Sequence, residues 1–189
     1  MTLKPFEISH ISELLSQQKV ILYPTDTVWG IGCDATDADA VAKVYSIKNR
    51  EESKSLIILI DSLEMLSKYI KDIPKKALEE LKRATKPTTI IYKNPIGLAS
   101  NCVATDNTIA IRIVQNDFCI QLIKEFGKPI VSTSANISGE PTPKSFSEIS
   151  TSILNSVDYI VNLQQEKIAT ASSRILRITD DNQVEVIRE

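Results

Sequence analysis

Apolar residues Ile8, Ile11, Leu14 and Leu15 recur at helical spacing near the start of the chain, which predicts an amphipathic helix. The run Val20–Tyr23 reads as a short buried strand stopped by Pro24. The segment PTDTVWGIGCDATDAD reads as a polar loop carrying Gly30 and Gly32, after which Val41, Val44, Tyr45 and Lys48 resume a helical face. Leu56–Ile60 is continuously apolar, as expected of a strand covered on both faces. Asp61 and Glu64 suggest a capping box for a helix through Tyr69, and Pro74 suits the first turn of a helix carrying Ala77, Leu78 and Leu81.

Further strands are predicted at Thr88–Tyr92, Thr108–Ile113, Pro129–Thr133 and Val157–Val161. A helix is expected over Phe118–Phe126, and another after Ser145, whose partner Glu148 completes a capping signal. Ser173–Ile178 and Val184–Arg188 read as a terminal hairpin around Asp180-Asp181-Asn182, whereas Asn94–Asn107 is the least patterned stretch and reads as a mobile loop. This alternation predicts an α/β fold, one domain over residues 1–189, with a twisted mixed parallel/antiparallel sheet flanked by helices.

Composition narrows the chemistry. Hydrophobic residues make up 42% of the 189 residues and charged residues 24%, as in a compact globular protein. Lys plus Arg (22) nearly balance Asp plus Glu (24), so any anionic ligand must be held by a local basic cluster. Cys33, Cys102 and Cys119 form no C-x-x-C pair and have no histidine cluster beside them, which argues against a disulfide framework or a zinc site and fits a reducing, cytoplasmic setting. No apolar stretch approaches the roughly 20 residues of a membrane span. The only histidine, His10, falls on the N-terminal helix and reads as a surface residue, leaving triad chemistry without a candidate. Cys33 reads as a small, inert core residue.

No Gly-Lys-Ser/Thr triplet occurs, and Gly30-Ile31-Gly32 lacks the third glycine of a dinucleotide fingerprint. Two other segments are polar beyond what a turn needs. One is Thr25–Gly32 with Lys48, Arg50 and Lys54 further on, where the cations could grip an anion or simply solvate a helix end. The other is STSANISGEPTP, Ser132–Pro143, after a predicted strand end, either a ligand loop or an ordinary polar turn.

The strings YPTDTVWGIGCDA, KNR with a following lysine, TIAIRI and STSANISGEPTP resemble, in order and spacing, the YrdC-like family. The length resembles that of its short, single-domain members, which are threonylcarbamoyl-AMP synthases. Relatives often carry Trp-Pro-Gly-Pro where this chain reads Ala84-Thr85-Lys86-Pro87, and Tyr is commoner at the position of Trp29, which reads as a core or rim aromatic. The resemblance implies a reaction in which L-threonine, bicarbonate or CO2, and ATP give threonylcarbamoyl-AMP and pyrophosphate. Mg²⁺ would be carried mainly by the ATP phosphates.

Carried over by motif, the resemblance implies catalytic roles for Lys48 and Arg50 at the ATP phosphates. It implies nucleotide contacts by Arg50, Lys54, Thr108, Ser134, Asn136, Thr142 and Ser172, and threonine contacts by Thr27, Arg112 and Ser132, with Thr25 in support. The product would pass to a tRNA-modifying transferase complex. Direct tRNA binding is left open by the resemblance. A net charge of -2 and only 5% aromatic residues argue against a dedicated RNA-binding module, and the presence of both Lys48-x-Arg50 and Ser134-x-Asn136 argues against a paralogue that has lost the reaction.

Overall fold

The computed structural model describes residues 4–50, 56–169 and 171–189. Its centre is a nine-stranded sheet in the order β7-β1-β2-β6-β3-β5-β4-β8-β9. The strands are β1 (Ile21–Tyr23), β2 (Gly30–Gly32), β3 (Ile57–Ile60), β4 (Thr88–Lys93), β5 (Thr108–Ile113), β6 (Ile130–Ser134), β7 (Tyr159–Ile160), β8 (Arg174–Ile178) and β9 (Val184–Arg188). The pairs β1/β7, β3/β5 and β4/β8 are parallel and the others antiparallel, which makes the sheet mixed as expected. Helices α1 (Pro5–Ser16), α2 (Ala38–Lys48), α3 (Leu63–Tyr69), α4 (Lys75–Arg83), α5 (Asp117–Phe126) and α6 (Thr151–Ser156) flank it. Among the described residues no helix is long and apolar enough to cross a membrane.

Strand β2 corrects the reading of Gly30–Gly32 as loop. Glycine is a poor strand former, but here the missing side chain is what the sheet requires. A Cβ on Gly32 would lie 2.6 Å from Tyr23 Cε1 and would run into the Val131 carbonyl. The space admits the Tyr23 ring, whose hydroxyl donates to Val131 O at 3.0 Å.

The helix starts also shift. Ser62, not Asp61, caps α3, accepting from Met65 N at 3.1 Å while its hydroxyl donates to Asp61. Pro74 is the N-cap of α4 rather than its first residue. Ser145 precedes only a 3-10 turn, Phe146–Glu148, and makes no side-chain cap bond, while Glu148 accepts from Lys144 N rather than from Ser145 N; α6 begins later, under Ser150. The stretch Asn94–Asn107, expected to be mobile, is pinned by Asn94 N to Asn107 O at 3.0 Å and Ala99 N to Ala35 O at 2.9 Å, with Ala99 and Cys102 buried.

His10 is exposed on α1, edge-on to Tyr159. Trp29 is buried against Phe146. Both Cys33 and Cys102 are free and buried, and burial pushes the Cys33 thiol well up and the Cys102 thiol to about 12, which favours the protonated thiol.

Candidate functional site

A cleft of about 300 Å³ opens over β3, β4, β5, β8 and β9. Its floor includes Ile57, Ile91, Ala110 and Ile175, and Arg50, Arg112 and Arg188 reach into it. Among the described residues that line it there is no carboxylate. Of the residues singled out by motif, Thr27, Arg50, Arg112, Ser132, Ser134, Thr142 and Ser172 are brought together here, from loops and strands far apart in sequence.

Each is positioned for a local reason. The loop after β1 is drawn into a tight turn by Thr25, whose hydroxyl accepts from Thr27 N at 3.0 Å and donates to Val28 O at 2.8 Å. Because that one proton is committed to Val28, Thr27 Oγ1 is the donor in its 3.1 Å pair with Thr25 Oγ1. Arg50 follows Asn49, whose left-handed conformation (φ 47°) ends α2 and turns the chain toward the cleft. Arg112 and Ala110 share one face of β5 through the two-residue period.

Arg112 is 3% exposed at its side chain. Its Nη2 donates to Asp26 Oδ1 at 2.9 Å and to Thr27 Oγ1 at 3.3 Å, and Asp26 Oδ2 accepts from Gln115 N. Arg112 Nε is buried with no hydrogen-bond partner. A buried, unpartnered donor on a cleft-lining cation suits an acceptor brought by a ligand.

Of the other expected site residues, those that are described do not line the cleft. Lys48 does not line the cleft; it is buried, and burial, then the charge of Arg50, lowers its amine to about 8. The Asn136 amide donates to Ile137 O and Glu140 O at 3.0 and 2.8 Å, folding its own loop, while its Oδ1 is buried without a partner. Thr108 lines an adjoining hollow of about 380 Å³ that shares Ile91 with the cleft, and its hydroxyl donates to Asp106 at 2.6 Å. Lys54 lies outside the described residues.

Two participants escaped the sequence reading. Asp26 sits inside the recognised string but pairs with a residue far along the chain. Arg188 reaches the cleft because the β8/β9 register slips between Ile175 and Leu176, so that Ile187 and Arg188, though adjacent, both line it. Its Nε and Nη2 donate to Ser173 O at 3.0 and 2.8 Å, and burial followed by the charge of Arg112 lowers its pKa. No sequence signal marks a bulge of this kind.

Comparisons with known proteins identify the family. The sequence matches the family model named for Sua5, YciO and YrdC, described as "Telomere recombination", over residues 13–189. It is 36% identical over 152 residues to a threonylcarbamoyl-AMP synthase of Pseudoalteromonas translucida, covering 78% of this chain and 81% of that one. A threonylcarbamoyl-AMP synthase of Bacillus subtilis is 35% identical over 72% of this chain, which spans only 40% of that longer protein. The fold superposes on P. abyssi Sua5 complexed with L-threonine with a TM-score of 0.88 and 25% identity, covering 100% of this chain and 55% of that one. The matched family model, the curated relative covered over most of its length and the superposing fold place this protein in the Sua5–YciO–YrdC family.

Proposed function

We propose that the chain is an L-threonylcarbamoyladenylate synthase, a nucleotidyltransferase that converts L-threonine, bicarbonate or CO2, and ATP into threonylcarbamoyl-AMP and pyrophosphate. The observation that carries this reading is the convergence of Arg50, Arg112 and Arg188 on one cleft rimmed by hydroxyls and lined, among the described residues, by no carboxylate. Such a site suits substrates that are all anionic, or become so along the reaction.

The threonine amine attacks the carbon of CO2 and loses a proton to water, giving a carbamate. A carbamate oxygen then attacks the α-phosphorus of ATP, and the bond to the β-phosphate oxygen breaks to release pyrophosphate. No protein nucleophile enters; positioning and neutralisation of charge supply the catalysis. Arg112, with its unpartnered Nε, holds the threonine carboxylate, and Thr27 and Ser132 read the hydroxyl. Arg50 faces the phosphates, with Ser134, Thr142 and Ser172 around the nucleotide and Arg188 adding positive charge. A nucleotide laid along β5 from Ala110 would reach Thr108 in the adjoining hollow.

Guanidiniums repel a free cation, whereas Mg²⁺ keeps several waters and is commonly held through substrate phosphates; no cluster of three or more His, Cys, Asp or Glu suited to a metal occurs among the described residues. Mg²⁺ in this reading arrives on the ATP phosphates, and no protein ligand is assigned to it. The whole chain acts as one catalytic domain, and its product is taken up by a tRNA-modifying transferase complex. The reading requires no direct contact with tRNA.

Pyrophosphate release measured with and without threonine and bicarbonate tests the reading. Release that depends on both is expected. Release without threonine, or a salt-dependent shift of RNA with no turnover of ATP, would overturn it.

A further inference from the structure

We propose that Lys48 is a positioning residue and not a phosphate ligand: its ammonium clamps two backbone carbonyls and thereby sets the loop that presents Ser134 to the nucleotide. Lys48 is the last residue of α2 and is 1% exposed. Its Nζ donates to Ser134 O at 2.5 Å and to Asn136 O at 2.7 Å. Its own carbonyl accepts from Ser138 N at 2.8 Å. The end of α2 is thus tied at three points to residues 134–138.

A lysine that neutralises phosphate keeps its ammonium at the cleft surface, whereas two of the three protons here are already committed to carbonyls and the side chain does not line the cleft. Among the described residues the charged group that acts on it is Arg50, which opposes the ammonium rather than balancing it. A buried ammonium is costly, so its presence needs a return that an apolar residue could not supply. That return is geometric. Two carbonyls from one loop, two residues apart, face the same point, and only a donor of this reach holds them there.

Ser134 ends β6 beside Gly30 of β2, and its side chain lines the cleft. Releasing its carbonyl frees the strand end where the loop begins. Asn136 then closes the far side of the same loop through its bonds to Ile137 and Glu140. Lys48 and Asn136 act as two staples of one loop, whose Ser134 lines the cleft.

The kinetic part of this inference rests on the synthase reading; the loop geometry does not. The test compares wild type, Lys48→Met and Lys48→Gln by amide hydrogen exchange of the ligand-free chain and by steady-state kinetics. The clamp predicts that exchange at Ser138 N–H speeds up about tenfold or more in Lys48→Met, and that KM for ATP rises about tenfold while KM for threonine changes little. Lys48→Gln, one atom shorter but still a donor, regains part of both, and it carries the comparison should Lys48→Met fail to fold. A raised KM for ATP with unchanged exchange at Ser138 in both variants would make Lys48 a direct ligand and overturn the proposal. A fall in active fraction with both KM values unchanged would reduce it to a stabilising residue and overturn it equally. If wild type releases no threonine-dependent pyrophosphate, the synthase reading fails while the exchange comparison still decides the clamp.

Discussion

Arg112 Nη2 lies 2.9 Å from Asp26 Oδ1 with both side chains buried, 3% and 6% exposed, so the cation at the inner wall of the cleft is held from behind by a carboxylate that does not itself line it. The pair fixes the guanidinium plane and leaves Nε unpartnered. Removing one partner of a buried pair typically costs about 3–5 kcal/mol, because the other charge is stranded. Asp26→Asn is therefore expected to lower unfolding free energy by about 3 kcal/mol and to raise KM for threonine more than KM for ATP. Denaturant titration and steady-state kinetics check both; unchanged stability would mean that the pair is not a net contributor.

Arg188 is expected to behave differently, because its guanidinium donates to the carbonyl and hydroxyl of buried Ser173 rather than to a carboxylate. Arg188→Ala should weaken ATP affinity by about 1.5–3 kcal/mol, the worth of a charge-assisted contact, with a much smaller change in melting temperature. Calorimetric titration with a non-hydrolysable ATP analogue reads the affinity. Undiminished binding would remove Arg188 from the site.

The two glycines of β2 separate fold from function. A Cβ on Gly32 meets the Val131 carbonyl and the Tyr23 ring, so Gly32→Ala should destabilise by about 1–3 kcal/mol or prevent folding. A Cβ on Gly30 would lie 3.1 Å from Ser132 Oγ, within the cleft, where a hydroxyl can shift by a few tenths of an ångström. Gly30→Ala should fold and yet lose turnover. Melting curves beside pyrophosphate release distinguish the two, and equal effects on both measurements for both variants would refute the distinction.

Selectivity among amino acids follows from the same wall. Serine keeps the hydroxyl and loses a methyl, worth about 1–3 kcal/mol in an apolar subsite, whereas valine keeps the shape and leaves hydrogen-bonding groups unpaired, a penalty of up to about 10⁴-fold. Threonine should support pyrophosphate release best, serine detectably and valine hardly at all, with Arg112→Ala abolishing the response to all three. Equal rates for threonine and valine would show that the hydroxyl is not read.

Alkaline pH should act on stability in two opposing ways. Unfolded Lys48 keeps its proton to about 10.5 but the folded chain releases it near 8, so above pH 8 the unfolded state binds more protons and stability rises. The buried thiols oppose this: Cys33, Cys102 and Cys119 are raised above their ordinary value of 9.0, so the unfolded chain loses those protons first and stability falls above about pH 9. A maximum between pH 8 and 9 is expected in urea midpoints, and Lys48→Met should abolish the rise while leaving the fall. A monotonic profile in wild type would contradict the assignment.

How much of this was legible in the sequence depended on whether the cause was local. Strand β5 was read to the residue at Thr108–Ile113, and β3 to within one residue, because period and β-branching are properties of the segment itself. Strand β2 was missed because its glycines answer to Tyr23 and Val131, which only the folded sheet brings near. The polar loops at Thr25–Gly32 and Ser132–Thr142 stood out, since nothing in a plain turn demands so many hydroxyls. Which of their residues face the cleft was not legible: Ser134 does and Asn136 turns back on its own loop, although they are two residues apart. Arg188 depended on a register slip with no signature in composition or spacing.

The strand order carries a temporal consequence. β6 lies between β2 and β3, and β9 closes the edge after β8, so the cleft draws on residues from Thr27 to Arg188. A nascent chain emerging from the ribosome has no cleft until β9 is free to pair, however well its early helices have formed. Pairings of such long sequence separation form slowly, and ligands that bind only the completed cleft can shield the chain from proteases only after synthesis has passed residue 188.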